Sequence, residues 1–258
     1  MRPWEYRLPR VLRNVVFAFS LLAIGLSLQA TAANAITLTF FGEDGSPGGT
    51  VLPAGNAATA RQDFLDALAA GVSTEDFESF AFGSTAPLAL SFTGGIGTID
   101  ATLTGAGDID DGGAGRFPTS GSNLWDVTGS FSITFGTPVA AFGFFGTDVG
   151  DFEGSLTVQT SDGVTTTDYV VPHTIDVSSG ALLFFGIIDT DNPFTSVVFG
   201  NTEAGVDIFG FDDLTVGDVS QVQVSAIPLP PAMLLFLSAL GALGLIGRRR
   251  FRRRGARA

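Results

Sequence analysis

Through the middle of the chain, short runs of alternating apolar and polar residues are separated by Gly, Asp, Ser or Pro. The alternation is cleanest in Ser130-Phe131-Ser132-Ile133-Thr134-Phe135, where Phe131, Ile133 and Phe135 fall on one face and the hydroxyls on the other. A strand of this kind packs one face and wets the other. Similar β-rich runs cover Ile36–Phe41, Leu88–Thr93, Thr98–Thr104, Val139–Phe145, Ser155–Thr160, Thr165–Val171, Ala181–Ile188, Phe194–Phe199 and Phe209–Val216. Many short strands with turn residues between them predict an all-β fold, a lectin-like or jelly-roll β-sandwich.

One stretch has helical character instead. Asn56 stands where an N-cap belongs, Ala57 to Ala70 is rich in Ala and Leu, and Gly71 suits a left-handed close. Phe64 and Leu68, with Leu65 beside them, form a narrow apolar stripe, so this short helix is expected to lie packed across the sandwich. The chain has 24 Phe and 34 Gly, and Phe40-Phe41-Gly42, Phe144-Phe145-Gly146 and Phe184-Phe185-Gly186 repeat a motif without a constant period. These pairs read as core strands, with Gly where backbones approach closely. The competing reading, a platform of rings for stacking sugars, suits Phe less well than burial does.

The two ends have a different texture. Arg2, Arg7, Arg10 and Arg13 precede an apolar run from Val15 to Leu28, and Ala33-Asn34-Ala35 completes a small-x-small pattern. This is the layout of a signal peptide over residues 1–35, cut after Ala35 and followed by a body over 36–225. Residues 226–258 hold the run Ile227-Pro228-Leu229-Pro230-Pro231-Ala232, an apolar stretch over 232–247, and a basic tail over 248–258 with Arg248, Arg249, Arg250, Arg252, Arg253 and Arg254. Sixteen apolar helical residues barely cross a hydrocarbon core of ~30 Å, and the arginines are expected to stay on the cytoplasmic side. The body then lies outside the inner membrane.

Between these ends charge is one-sided. The body carries 25 of the 26 acidic residues against Arg61 and Arg116 alone, a net charge of about −23. Such a surface repels nucleic acid and anionic lipid and tolerates cations or a neutral polysaccharide. There is no Cys, so an exported domain must hold together through its core without disulfides, unless a metal helps. His173 is the one imidazole, which removes Ser-His-Asp and multi-histidine zinc chemistry from the candidates. Paired carboxylates of the glycosidase kind are available by abundance, yet nothing in their spacing singles out two of them.

Calcium fits the acidic loops better, because hard cations take several carboxylate and carbonyl oxygens. The candidate ligands are Asp108, Asp110 and Asp111, then Asp189 and Asp191, and Asp212 with Asp213; Asp148 lies near Asp151 and Glu153. Asp212-Asp213 would meet Glu43-Asp44 if the terminal strands paired. The same residues serve equally well as ordinary turn formers, and the EF-hand pattern fails because Gly112 and Thr119 stand where ligands belong.

The Ile227 to Ala232 run, the apolar segment and the arginine tail together resemble the PEP-CTERM family of bacterial sorting signals, in its VPLPA-type variant. Ile replaces Val, and a second Pro precedes Ala232. The resemblance implies an exosortase, a membrane-embedded transpeptidase, as partner, and delivery to the cell surface or exopolysaccharide of a Gram-negative bacterium. Residues 74–80, 115–121, 141–152 and 210–217 are also similar to sandwich ectodomains found on such proteins, which implies fold and address but no ligand. The leading expectation is therefore an exported, sorted surface or matrix protein with a non-catalytic sandwich that contacts carbohydrate. The alternatives are an extracellular polysaccharide hydrolase on the same scaffold and a purely structural biofilm component.

Overall fold

The computed structural model describes residues 37–45, 48–69, 71–149, 155–174, 181–200 and 208–223. The signal segment with Ala33 and Ala35, Asp151 and Glu153, the Ile227–Ala232 motif and the arginine tail lie outside the described residues. Among those described, no helix is long and apolar enough to cross a membrane. The elements in chain order are β1 (Thr37–Asp44), α1 (Asn56–Asp66), β2 (Ser73–Glu75), β3 (Leu88–Gly94), β4 (Gly97–Asp110), β5 (Leu124–Val139), β6 (Ala141–Thr147), β7 (Thr157–Ser161), β8 (Thr166–Val170), β9 (Leu182–Asp189), β10 (Phe194–Gly200) and β11 (Phe209–Gly217).

All strand pairings are antiparallel, in the order β1-β9-β6-β11-β5-β10-β7-β8, with β4 on the other side of β5, β3 beyond β4, and β2 on β11. The sheet curls into a sandwich through β5, which pairs with β11 over Trp125–Val127 and with β10 from Phe131 to Val139. Its partner β4 shifts register between Gly105 and Gly107 at the same place, and bulges are how strands pass from one layer to the other. Strands far apart in the order thus meet face to face: the Phe144 ring of β6 lies 5.0 Å from Phe199 of β10, and Phe142 lies 6.3 Å from Phe135 of β5. The second layer, β3-β4-β5-β10-β7-β8, behaves as its alternation predicts. Phe131, Ile133 and Phe135 are buried, while Thr102, Thr104 and Thr134 face outward.

In the first layer β6, β9 and β11 are buried on both faces, with α1 covering the outer side of β9, its neighbour β1 and the near edge of β6. This explains the paired phenylalanines. In β1, β9 and β6, which are neighbours, the three Phe-Phe pairs fall into register with glycines beside them: Phe41 opposite Phe185 opposite Phe144, Phe40 opposite Gly186 opposite Gly143, and Gly42 opposite Phe184 opposite Phe145. One ring of each pair enters the inter-sheet core and the other enters the smaller core under the helix. Phe64 seats its ring above Gly143 and Gly186, 5.5 Å from Phe40 and 5.6 Å from Phe184. A methyl at either glycine would stand 2.9 or 2.8 Å from that ring.

Several details differ from the sequence reading. The helix runs from Asn56 to Asp66, with Gly55 as N-cap and no side-chain cap from within the helix. The cap comes from β1: both Asp44 carboxylate oxygens accept, from the backbone N–H of Asn56 (2.8 Å) and of Ala57 (3.0 Å), a negative charge at the helix N-terminus. Asn56 instead donates its amide to the Glu43 carbonyl. The C-cap is Ala67, and Gly71, although left-handed at φ 98°, lies beyond the helix end. β1 pairs with β9 rather than with β11, so Asp212-Asp213 does not meet Glu43-Asp44 through strand pairing. Phe82 is the one Phe of a Phe-Gly pair that stays outside the core, at 66 % exposure.

Candidate functional site

Asp212 and Asp213 sit where β11 shifts register against β6, and Asp213 adopts a left-handed φ of 52°. Both are buried, and both are used to hold the loop between β4 and β5. Asp212 Oδ2 accepts from the Thr119 N–H (2.7 Å), the Thr119 hydroxyl (3.0 Å) and the Ser120 N–H (3.1 Å). Asp213 accepts from the Thr119 hydroxyl (3.0 Å) and the Ser120 hydroxyl (2.9 Å). A third carboxylate, Glu78, takes the Ser122 and Asn123 N–H groups, both at 2.6 Å. Within the loop, Arg116 Nε meets Asp126 Oδ1 of β5 at 2.7 Å. Three of the sequence segments singled out above, 74–80, 115–121 and 210–217, therefore converge on one loop.

Burial sets the electrostatics here. Loss of water pushes the Asp212 carboxyl up to about 7, and the Asp213 charge adds to the rise; backbone hydrogen bonds from Ser120, Asp213 and Thr119 oppose it. Asp126 is likewise raised by burial, with the Arg116 charge pulling it back. Glu75 on β2 is raised for the same first cause, despite its hydrogen bond from the Phe77 N–H.

This clamped loop forms one wall of a hollow of about 540 Å³ whose opposite wall is α1. The helix contributes Arg61, Gln62 and Asp63; the loop contributes Thr119 and Ser120; β11 contributes Asp213; and Phe145 forms the floor. Arg61 lies with its guanidinium carbon 5.7 Å from the centre of the Phe145 ring, a geometry that favours the cation over the ring face. Its Nε is buried without a hydrogen-bond partner. The hollow thus presents a guanidinium, an amide, two carboxylates and the Thr119 and Ser120 hydroxyls above an apolar base. Mixed donors and acceptors of this kind match the hydroxyls of a neutral ligand better than a net charge of either sign.

The other acidic candidates are placed separately. Asp108 and Asp110 lie on β4, opposite Asp126 and Leu124, and Asp110 accepts from the Gly112 N–H at 2.9 Å, while Asp111 follows in the turn. Asp189 ends β9 and accepts from the Asp191 N–H (3.0 Å) and the Asn192 N–H (2.9 Å), the ordinary bonds of an Asx turn. Among the described residues no group of three or more Asp, Glu, His or Cys is arranged to hold a metal ion. Arg61, Gln62, Asp63, Thr119 and Ser120 were not singled out as a site by sequence. The one available signal was Arg61, one of two cations in an acidic body.

No protein-family model and no curated protein sequence matches this chain. Solved structures that resemble it include carbohydrate-binding modules. A variant of the module CBM29-2 shares 13% identity at a TM-score of 0.31, over 60% of this chain and 96% of its own. A family 29 carbohydrate-binding module shares 14% at a TM-score of 0.29, over 50% and 98%. TmCBM61, solved with β-1,4-galactotriose, shares 11% at a TM-score of 0.24, over 45% and 86%. At that level of agreement no residue position transfers.

Proposed function

We infer that this chain is an exported surface or matrix protein, sorted through its C-terminal segment by an exosortase-type transpeptidase, whose sandwich contacts a neutral polysaccharide without cleaving it. The hollow between α1 and the 112–123 loop carries the binding part of this reading. Arg61, Gln62 and Asp63 offer paired donors and acceptors to neighbouring hydroxyls, and the Asp212-Asp213 clamp holds Thr119 and Ser120 in place before any ligand arrives, which lowers the entropic cost of binding. The Asp212 carboxyl, although raised, is 1% exposed and committed to its own loop, so it is closed to a substrate as a general acid. Delivery rests on the two ends: a signal-peptide pattern over 1–35, the Ile227–Ala232 motif, the apolar segment and the flanking arginines, which also leave an inner-membrane stage before processing.

Binding is tested on an array of neutral and acidic glycans with the wild-type chain and with Gln62→Ala and Asp63→Ala, two exposed positions whose truncation spares the core. Binding to neutral glycans that falls in both variants supports the reading. Binding that ignores both variants moves the site elsewhere, and release of new reducing ends replaces contact with hydrolysis. For sorting, the mass of the native C-terminus is decisive: a terminus within or just after 227–232 supports the motif, and an intact Ala258 on surface-displayed protein removes it.

A further inference from the structure

We propose that the end of the sandwich from which the chain leaves toward its C-terminal segment docks on the surface of a zwitterionic phospholipid bilayer, through two apolar hairpin tips. This rests on the reading of residues 232–247 as a membrane segment. The register places the tips. In the second layer Ala89, Thr102, Thr134, Ser196, Ser161 and Thr166 form one row across six strands. From that row, β3 runs on to the β3–β4 turn and β7 runs on to the β7–β8 turn in the same direction, so both turns project from one end. Each carries a β-branched residue almost wholly in water: Ile96 at 93% and Val164 at 93% exposure. The strands that bear them are the two edges of the layer, roughly 24 Å apart at ~4.8 Å per strand.

The chain leaves at this same end. After β11 a single 3-10 turn, Val219–Gln221, is bound to the β3–β4 hairpin: the Asp218 carboxylate accepts from the Gly95 N–H (2.7 Å) and the Ser220 N–H (2.8 Å), and Gln221 donates to the Thr93 carbonyl (3.1 Å). Val219, 47% exposed, lines a hollow together with Ile96 and Pro138. β1 begins here too, with Thr37 opposite Asp189 and Leu38 at 43% exposure. Four of the eight exposed large hydrophobics among the described residues, Leu38, Ile96, Val164 and Val219, thus stand at the exit end.

Chain length supplies the partner. Nine residue steps take the chain from Gln223 to Ala232, a reach of at most ~32 Å when fully extended. A body of this size is ~40 Å across, so the exit end is the part of the sandwich held nearest the bilayer. The charge at this end selects the lipid. Asp162, Asp189, Asp191 and Asp218 stand there, three of them accepting backbone hydrogen bonds, and no Lys or Arg accompanies them among the described residues. Anionic headgroups are therefore repelled, and apolar burial is left as the attraction.

The chain has no Cys, so single-cysteine variants give clean labels. Protein beginning at Ile36, after the expected signal cleavage, and running to Ala258 is reconstituted in phosphatidylcholine nanodiscs as Ile96→Cys, Val164→Cys and, at the opposite end of the sandwich, Phe82→Cys, each carrying a nitroxide. Docking predicts that labels at 96 and 164 lose accessibility to a water-soluble paramagnetic relaxer and gain it to oxygen, as expected for side chains ~5–10 Å below the headgroup level. The label at 82 should remain fully accessible to the water-soluble relaxer. The protection should weaken when phosphatidylglycerol is added. Protein retained in the discs with all three labels equally wet overturns the docking and leaves the anchor standing; protein not retained in the discs at all overturns the anchor and the docking with it.

Discussion

Replacing Gly186 with Ala tests the seat beneath the helix. Gly186 and Gly143 pair across β9 and β6, and Phe64 of α1 fills the space where two side chains would otherwise stand. A Cβ at 186 would lie 2.8 Å from Phe64 Cδ2 and 3.1 Å from Phe184 Cε1, well inside normal carbon contact. The backbone there does not have a positive φ, so Ala is conformationally acceptable and the cost is steric. Over-packing of this sort costs ~1–3 kcal/mol, offset by ~0.4–1 kcal/mol from a stiffer unfolded chain. Gly186→Ala alone should therefore destabilise by about 1–2 kcal/mol. Phe64→Ala alone should cost ~3–5 kcal/mol, since the ring is fully buried and leaves a cavity. In the Phe64→Ala background the new methyl enters vacated space, and Gly186→Ala should become neutral or stabilising by up to ~1 kcal/mol. The coupling energy is thus about 2 kcal/mol, measured by urea unfolding of the 36–225 segment in a double-mutant cycle. Additivity within ~0.5 kcal/mol would refute the seat as described.

Two further outcomes follow from the buried acids. Asp212 titrates near 3.9 when unfolded and near 7 when folded, so the folded state holds an extra proton between those values. Stability should fall as pH rises from about 4 to 7 and then level, by on the order of 4 kcal/mol at most; Asp212→Asn should flatten this slope, leaving the smaller same-direction contributions of Glu75 and Asp126. An unchanged slope in thermal melts across that window would show that Asp212 is ionised throughout. The second concerns calcium: a cation bridging the Asp loops at 100 times its dissociation constant would contribute ~2.7 kcal/mol, so chelation should lower the melting temperature of the body by roughly 5–10 °C, and an unchanged melt would retire the calcium reading.

The strand layout was legible because each strand in the second layer has one dry face and one wet face, which writes period-two alternation into the residues. The first layer was legible for another reason. Strands covered on both sides cannot alternate, and the Phe-Phe-Gly motifs marked them, though only the register shows why the motif recurs three times. β2 escaped detection because three half-buried residues, Ser73, Thr74 and Glu75, carry no pattern. The helix cap was misassigned because the true cap, Asp44, lies twelve positions upstream, and caps of that kind are set by tertiary proximity. The hollow was largely invisible for the same reason: Arg61, Thr119 and Asp213 come from three separate segments. Thr119 and Ser120 lay within a segment that drew notice, but their function as the clamp's partners depends on the register slip at Asp213, which no local spacing announces.

Because β1 starts and the last turn finishes at one end of the sandwich, the body behaves as a plug with both leads on the same side. Such a unit can be lifted out and spliced into a surface loop of an unrelated host without opening either protein. The distal end, with Phe82 and its neighbouring loop, would then point away from whatever scaffold bears it, and could be re-engineered without disturbing attachment.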